Sequence, residues 1–216
     1  MIKPRLLVFD MDNTLLDGHV VVDLAKEVGF EDELHDILGR FRNGDLLGYE
    51  ASNYLAAYLK DMTPEELVQV VSKIPRTEGA QSTIRELSKR YKVAILSDSY
   101  TLAANHVLEV ISGDMVIANI LEVVHGKLSG KLLDVYKWKY DRPGCKKHAI
   151  CKIDALAILA NSLGISVEET VFIGDGPPDA CAMRFAGMGI GINPSPEVKE
   201  AADIIIEDMT QLIEIL

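Results

Sequence analysis

Three short runs of this 216-residue chain collect the side chains that could do chemistry. They are Asp10-Met11-Asp12-Asn13-Thr14, Ser97-Asp98-Ser99 and Gly174-Asp175-Gly176-Pro177-Pro178-Asp179. Each follows a short apolar stretch: RLLVF at 5–9, KVAIL at 92–96 and TVFI at 170–173. Those stretches read as buried strands. In an open parallel sheet, ligands bind beyond the carboxyl ends of the strands, so the three runs should converge on one site. Asp10, Asp12, Asp175 and Asp179 together would repel and raise one another's pKa values unless a cation sat among them. An all-oxygen donor set points to Mg²⁺.

The elements that must position these residues follow from periodicity. Apolar residues recur at helical spacing over 20–73, as in Leu34, Ile37, Leu38 and Phe41. Within that stretch Thr63-Pro64-Glu65-Glu66 has the form of a capping box with proline in the first turn. Helices are expected over 80–91, 101–111, 150–163 and 179–186, and strands over 92–96, 115–118, 188–192 and 203–206. A hairpin is expected from 120–125 to 131–137 around residues 126–130. Residues 139–148 read as a polar, basic loop. Strands alternating with helices predict an α/β fold, a Rossmann-like parallel sheet core. Several consecutive helices after the first strand exceed a plain crossover and are expected to form an inserted helical cap. The expected division is a core of residues 1–17 and 78–216 with a cap of residues 18–77.

Composition narrows the function classes. The net charge is −11, which argues against nucleic acid as a partner. No apolar run approaches the ~18 residues a membrane helix needs. Three cysteines, Cys145, Cys151 and Cys181, are too few for a disulfide framework, and reduced thiols in a cytoplasmic setting are expected. Cys145, His148 and Cys151 stand at equal spacing, but the pattern is not a standard zinc site.

The three runs, in this order, resemble the motifs of the haloacid-dehalogenase superfamily of phosphohydrolases, within it the phosphoserine-phosphatase-like branch. Asp10-Met11-Asp12-Asn13-Thr14 matches the first motif, Ser97 the second, and Asp175 with Asp179 the fourth. The third, a lysine opening a helix, is best matched by Lys152, with Lys146 and Lys147 as competitors. The bland alternative, acidic residues that only cap helices, does not account for four motifs in order. The resemblance implies a Mg²⁺-dependent phosphomonoesterase working on a small phosphorylated metabolite, as a monomer or homodimer. Asp10 would be the nucleophile and form an aspartyl-phosphate, and Asp12 the acid and then the base. The metal would rest on Asp10, Asp175 and the Asp12 carbonyl, with Asp179 holding a water or orienting its neighbours. Ser97, Asp98, Thr14 and Lys152 would bind substrate or phosphate.

The chain also departs from that pattern. Ser97-Asp98-Ser99-Tyr100 stands where phosphoserine phosphatases carry Ser-Gly-Gly-Phe, and Pro177-Pro178 replace Ala-Asn. His19 occupies the place of a glutamate that meets the substrate ammonium, and Asn53-Tyr54-Leu55-Ala56-Ala57 lacks the arginine that pairs with its carboxylate. Free phosphoserine is therefore not the expected favoured substrate. The alternatives are a phosphoserine phosphatase or a phosphoserine:homoserine-type phosphotransferase, and, behind them, a non-catalytic phospholigand-binding protein.

Overall fold

The structure, a computed structural model, describes residues 3–140, 142 and 148–216. The chain begins with β1 (Leu6–Phe9) and then makes four helices, α1 (Val20–Val28), α2 (Glu31–Asn43), α3 (Gly48–Tyr58) and α4 (Pro64–Lys73). An α/β alternation follows: α5 (Ala80–Leu87), β2 (Lys92–Tyr100), α6 (Thr101–Ile111), β3 (Met115–Val124) and β4 (Lys127–Leu133). It continues through α7 (Lys152–Ser162), β5 (Thr170–Gly174), α8 (Pro177–Met183), β6 (Met188–Ile192), α9 (Pro196–Ala201), β7 (Ile204–Ile206) and α10 (Leu212–Ile215).

The strands form one sheet in the order β4-β3-β2-β1-β5-β6-β7. Every pairing is parallel except β3 with β4. The chain fills one side of β1 first and then crosses to the other at β5, so β1 lies at the point where the winding reverses. Side chains alternate between faces with the strand period of two. Leu7, Phe9, Val93, Ile95, Val171 and Ile173 enter one buried cluster, and Leu6, Val8, Ala94, Leu96 and Phe172 the other. Burial on both faces is what an all-apolar parallel strand requires.

The four inserted helices share the first cluster through Leu24, Leu34, Leu55 and Leu67. The segments that lead into and out of them are tied together. The Asp17 amide donates to the Pro75 carbonyl (2.9 Å), and the Thr77 amide to that of Leu15 (3.0 Å). Thr63 caps α4 as its sequence implies: its hydroxyl accepts from the Glu66 amide, and its amide donates to the Glu66 carboxylate.

Four expectations are corrected. β2 runs on through the second motif to Tyr100, and β3 continues past Ala118 without a break. The hairpin turns on His125 and Gly126 alone, both with positive φ (52° and 78°), so residues 127–130 belong to β4. A two-residue turn of that hand matches the twist of the strands it joins. α8 begins at Pro177, two residues early, because proline suits the first turn, where no helix bond needs its amide. Among the described residues no helix is long and apolar enough to cross a membrane.

Candidate active site

β1 ends by delivering Asp10, whose amide donates to the Ile173 carbonyl of β5 (2.8 Å). β5 ends by delivering Asp175 beside it. Asp10, Asp175 and Asp179 each offer a carboxylate oxygen, all within 4.8 Å of one another. These are hard donors of the kind a small divalent cation takes. The Asp12 carboxylate stands outside this triad.

Lys152, the first residue of α7, points into the triad. Its Nζ donates to Asp10 Oδ1 and to Asp179 Oδ1, each at 2.6 Å, and the residue is 4% exposed. Burial alone would lower its pKa, but the charges of Asp10, Asp179 and Asp98 outweigh burial and hold it above the usual lysine value. Asp10 is pushed well up by burial and by Asp179, against the pull of Lys152. Asp175 is raised to about 6 by burial and Asp179, although the Thr14 hydroxyl steadies its charge.

The remaining motif residues hold this arrangement. Asp179 Oδ2 accepts from the amides of Asp175 (3.0 Å) and Gly176 (2.9 Å), which leaves Oδ1 for Lys152. Gly174 has no alternative here, since a Cβ would lie 2.4 Å from Asp179 Oδ2. Thr14, expected to meet phosphate, is fully buried behind the triad, where its hydroxyl donates to Asp175 Oδ1 (2.9 Å). Asp12 accepts from the Val20 amide (2.9 Å) at the start of α1, with His19 Nδ1 3.6 Å from its other oxygen. Burial raises its pKa despite His19.

Ser97 and Asp98 lie on β2. The buried Ser97 hydroxyl accepts from the Ser99 amide (3.1 Å). The Asp98 carboxylate accepts from the Ile150 amide (3.1 Å), two residues before Lys152. Burial raises its pKa, with Lys152 and His148 opposing. Asn119 of β3, which sequence reasoning passed over, donates to the Asp98 carbonyl (2.6 Å). Its only signal was a polar residue inside an apolar strand.

Asp10, Asp12, Ser97, Asp98, Lys152 and Asp175 line a cavity of about 310 Å³ between the strand ends and the inserted helices. One wall is the segment at His148–Ala149. A Cβ on Gly48, the first residue of α3, would come within 2.7 Å of that backbone, so glycine permits the close approach. Lys146, Lys147 and Cys145 fall outside the described residues. Cys151 is buried, and its thiol accepts from Arg142 (3.4 Å).

Comparison with known proteins gives a consistent result. The family model described as haloacid dehalogenase-like hydrolase matches residues 7–184. A phosphoserine phosphatase of Methanocaldococcus jannaschii is 33% identical over 98% of this chain and 97% of its own. One of Wolinella succinogenes is 32% identical over 94% of each. Among solved structures, a substrate-bound phosphoserine phosphatase complex superposes with TM-score 0.80 at 32% identity, covering 100% of both chains. A phospho-aspartyl intermediate analogue of phosphoserine phosphatase gives 0.79 at 32% identity over 99% of both.

Proposed function

The chain belongs to the haloacid dehalogenase-like hydrolase family and is a phosphatase, and from that premise we propose that it hydrolyses a small phosphomonoester through an aspartyl-phosphate on Asp10. The observation that carries the reading is the Asp10 carboxylate, held by a buried lysine within a triad of acidic oxygens. Asp10 attacks phosphorus, and the bond from phosphorus to the leaving oxygen breaks. Asp12, whose raised pKa favours the acid form, gives its proton to that oxygen. Asp12 then takes a proton from the water that attacks the aspartyl-phosphate; the bond to Asp10 breaks and inorganic phosphate leaves. Lys152 and the Ser97 hydroxyl hold the phosphoryl oxygens.

Mg²⁺ would suit these hard oxygen donors: Asp10, Asp175 and the Asp12 carbonyl would hold it, and Asp179, whose carboxylate lies beside those of Asp10 and Asp175, would fix their positions. Its chemistry there is to relieve the repulsion between carboxylate and phosphate dianion. Residues 18–77 act in this reading as a cap, which the paired links at 15–17 and 75–77 support. A closed cap would exclude bulk water during transfer.

Acid-quenching the enzyme during turnover of an aryl phosphate and mapping the modified peptide tests the reading. The expected result is a phosphate on Asp10, absent in Asp10→Asn together with the activity. Full activity in Asp10→Asn would refute it.

A further inference from the structure

The cavity has two halves of opposite character. Its floor, at the strand ends, holds the carboxylates, Ser97 and Lys152. Its roof comes from the inserted helices, where Val21, Leu38, Phe41, Ala51 and Leu55 line it and Ser52 is the one polar side chain they contribute.

Among the described residues the roof helices bring no lysine or arginine to the cavity; the imidazole of His19, at the N-cap of α1, does line it but stands 3.6 Å from Asp12, and His148 lines the wall. Arg40 lies over the ring of Tyr54, and Arg42 donates to the Leu38 carbonyl of its own helix; neither lines the cavity. Lys152, on the floor, pairs with Asp10 and Asp179, and its remaining donor is assigned to the phosphoryl group. On the floor, Asp98 adds a carboxylate beyond those of the triad. A second anionic group on the alcohol portion of a substrate would thus be stripped of water against leucine, valine and phenylalanine. It would also sit in a field already negative. An unpaired buried charge is among the costliest arrangements a protein can make.

We propose that the leaving group taken by this site is an uncharged alcohol or phenol with an apolar body, and not an amino acid. This rests on the phosphomonoesterase reading above and narrows its substrate class. The body would lie under Leu38, Phe41 and Leu55, while the ester oxygen meets Asp12 and the phosphoryl group faces Asp10. The hydrolysis balances as phosphomonoester plus water giving alcohol plus inorganic phosphate.

The test measures kcat/KM for n-butyl phosphate, phosphoethanolamine and O-phosphoserine with the Mg²⁺-loaded enzyme, following phosphate release. All three are alkyl esters, so differences in leaving-group reactivity are small beside differences in fit. The expected result is butyl phosphate ahead of O-phosphoserine by roughly ten- to a hundredfold. Ser52→Arg, at a partly exposed position of the roof, should narrow that ratio by giving a carboxylate its partner. O-phosphoserine matching or exceeding butyl phosphate would overturn the proposal and leave the chemistry of Asp10 standing. Phosphoethanolamine leading both would overturn it in favour of a cationic leaving group drawn to Asp98. Hydrolysis of none of the three would count against the catalytic reading of Asp10 and this proposal together.

Discussion

Replacing Lys152 by methionine tests the electrostatic logic of the site without asking for activity. Methionine keeps most of the side chain's length and removes only the charge. Lys152 sits 2.6 Å from each of two carboxylates and is 4% exposed, so water cannot take its place cheaply. Breaking a buried ion pair by deleting one partner costs about 3–5 kcal/mol, because the other charge stays behind uncompensated. A chain of this size loses roughly 2–4 °C of Tm per kcal/mol. The expected fall in EDTA at pH 7.5 is therefore about 6–20 °C by calorimetry. The deficit should shrink as pH falls, because Asp10, already pushed up by burial and Asp179, escapes the penalty once it takes a proton. Asp10→Asn in the Lys152→Met background should recover stability, so that the double variant is more stable than the sum of the single losses by at least ~1 kcal/mol. A drop within about 2 °C, or strictly additive losses, would refute the account of Lys152 as the counter-charge of the triad.

Three further outcomes follow from the same geometry. Asp175 is held at about 6 against an ordinary 3.8, so the folded metal-free protein keeps a proton that the unfolded chain has lost, and stability is lost as pH rises through that window. Between pH 5 and 7 the loss is about 1 kcal/mol, or roughly 2–4 °C by calorimetry in EDTA, and Asp175→Asn should flatten the slope; stability rising over that range in the wild type would contradict it. Gly174→Ala places a methyl 2.4 Å from Asp179 Oδ2, which must move; a loss of about 1–3 kcal/mol is expected in chemical denaturation, together with weaker Mg²⁺ binding by titration calorimetry. Asp12→Asn should lower kcat by about 10²–10⁴-fold in a phosphate-release assay while the aspartyl-phosphate accumulates from an activated aryl ester, and near-normal turnover of an alkyl ester would rule out its role as acid.

The strand ends were legible in the sequence because β1 and β5 are buried on both faces and then stop abruptly at charged residues. An apolar run that meets an aspartate has one sensible place for the change, the sheet's carboxyl edge. β3 shows where that logic fails. Asn119 looks like a break in an apolar strand, yet the strand continues because its side chain finds the Asp98 carbonyl on the neighbouring β2. A polar residue interrupts a strand only if its partner is missing, and the partner here is 21 residues away. The hairpin fails for a related reason. Gly126 and Gly130 both look like turn residues, but only Gly126 turns the chain. Gly130 sits within β4 with a positive φ of 81°, and a Cβ there would come within 3.3 Å of the Ala57 backbone of α3, so its glycine serves a local backbone conformation and packing between elements distant in sequence. Pro177 and Pro178 look like a disruption of the fourth motif. In place they occupy the first turn of α8, where missing amides break no helix bond, and the amides that Asp179 needs come from Asp175 and Gly176 just upstream. The roof of the cavity is the least legible part. Helical spacing marks Leu38, Phe41 and Leu55 as inward-facing, but whether inward means the core or the cavity depends on how three helices sit over the sheet. That choice is made by tertiary packing alone, and it is what turns a shared phosphoryl-transfer floor into a site for a particular alcohol.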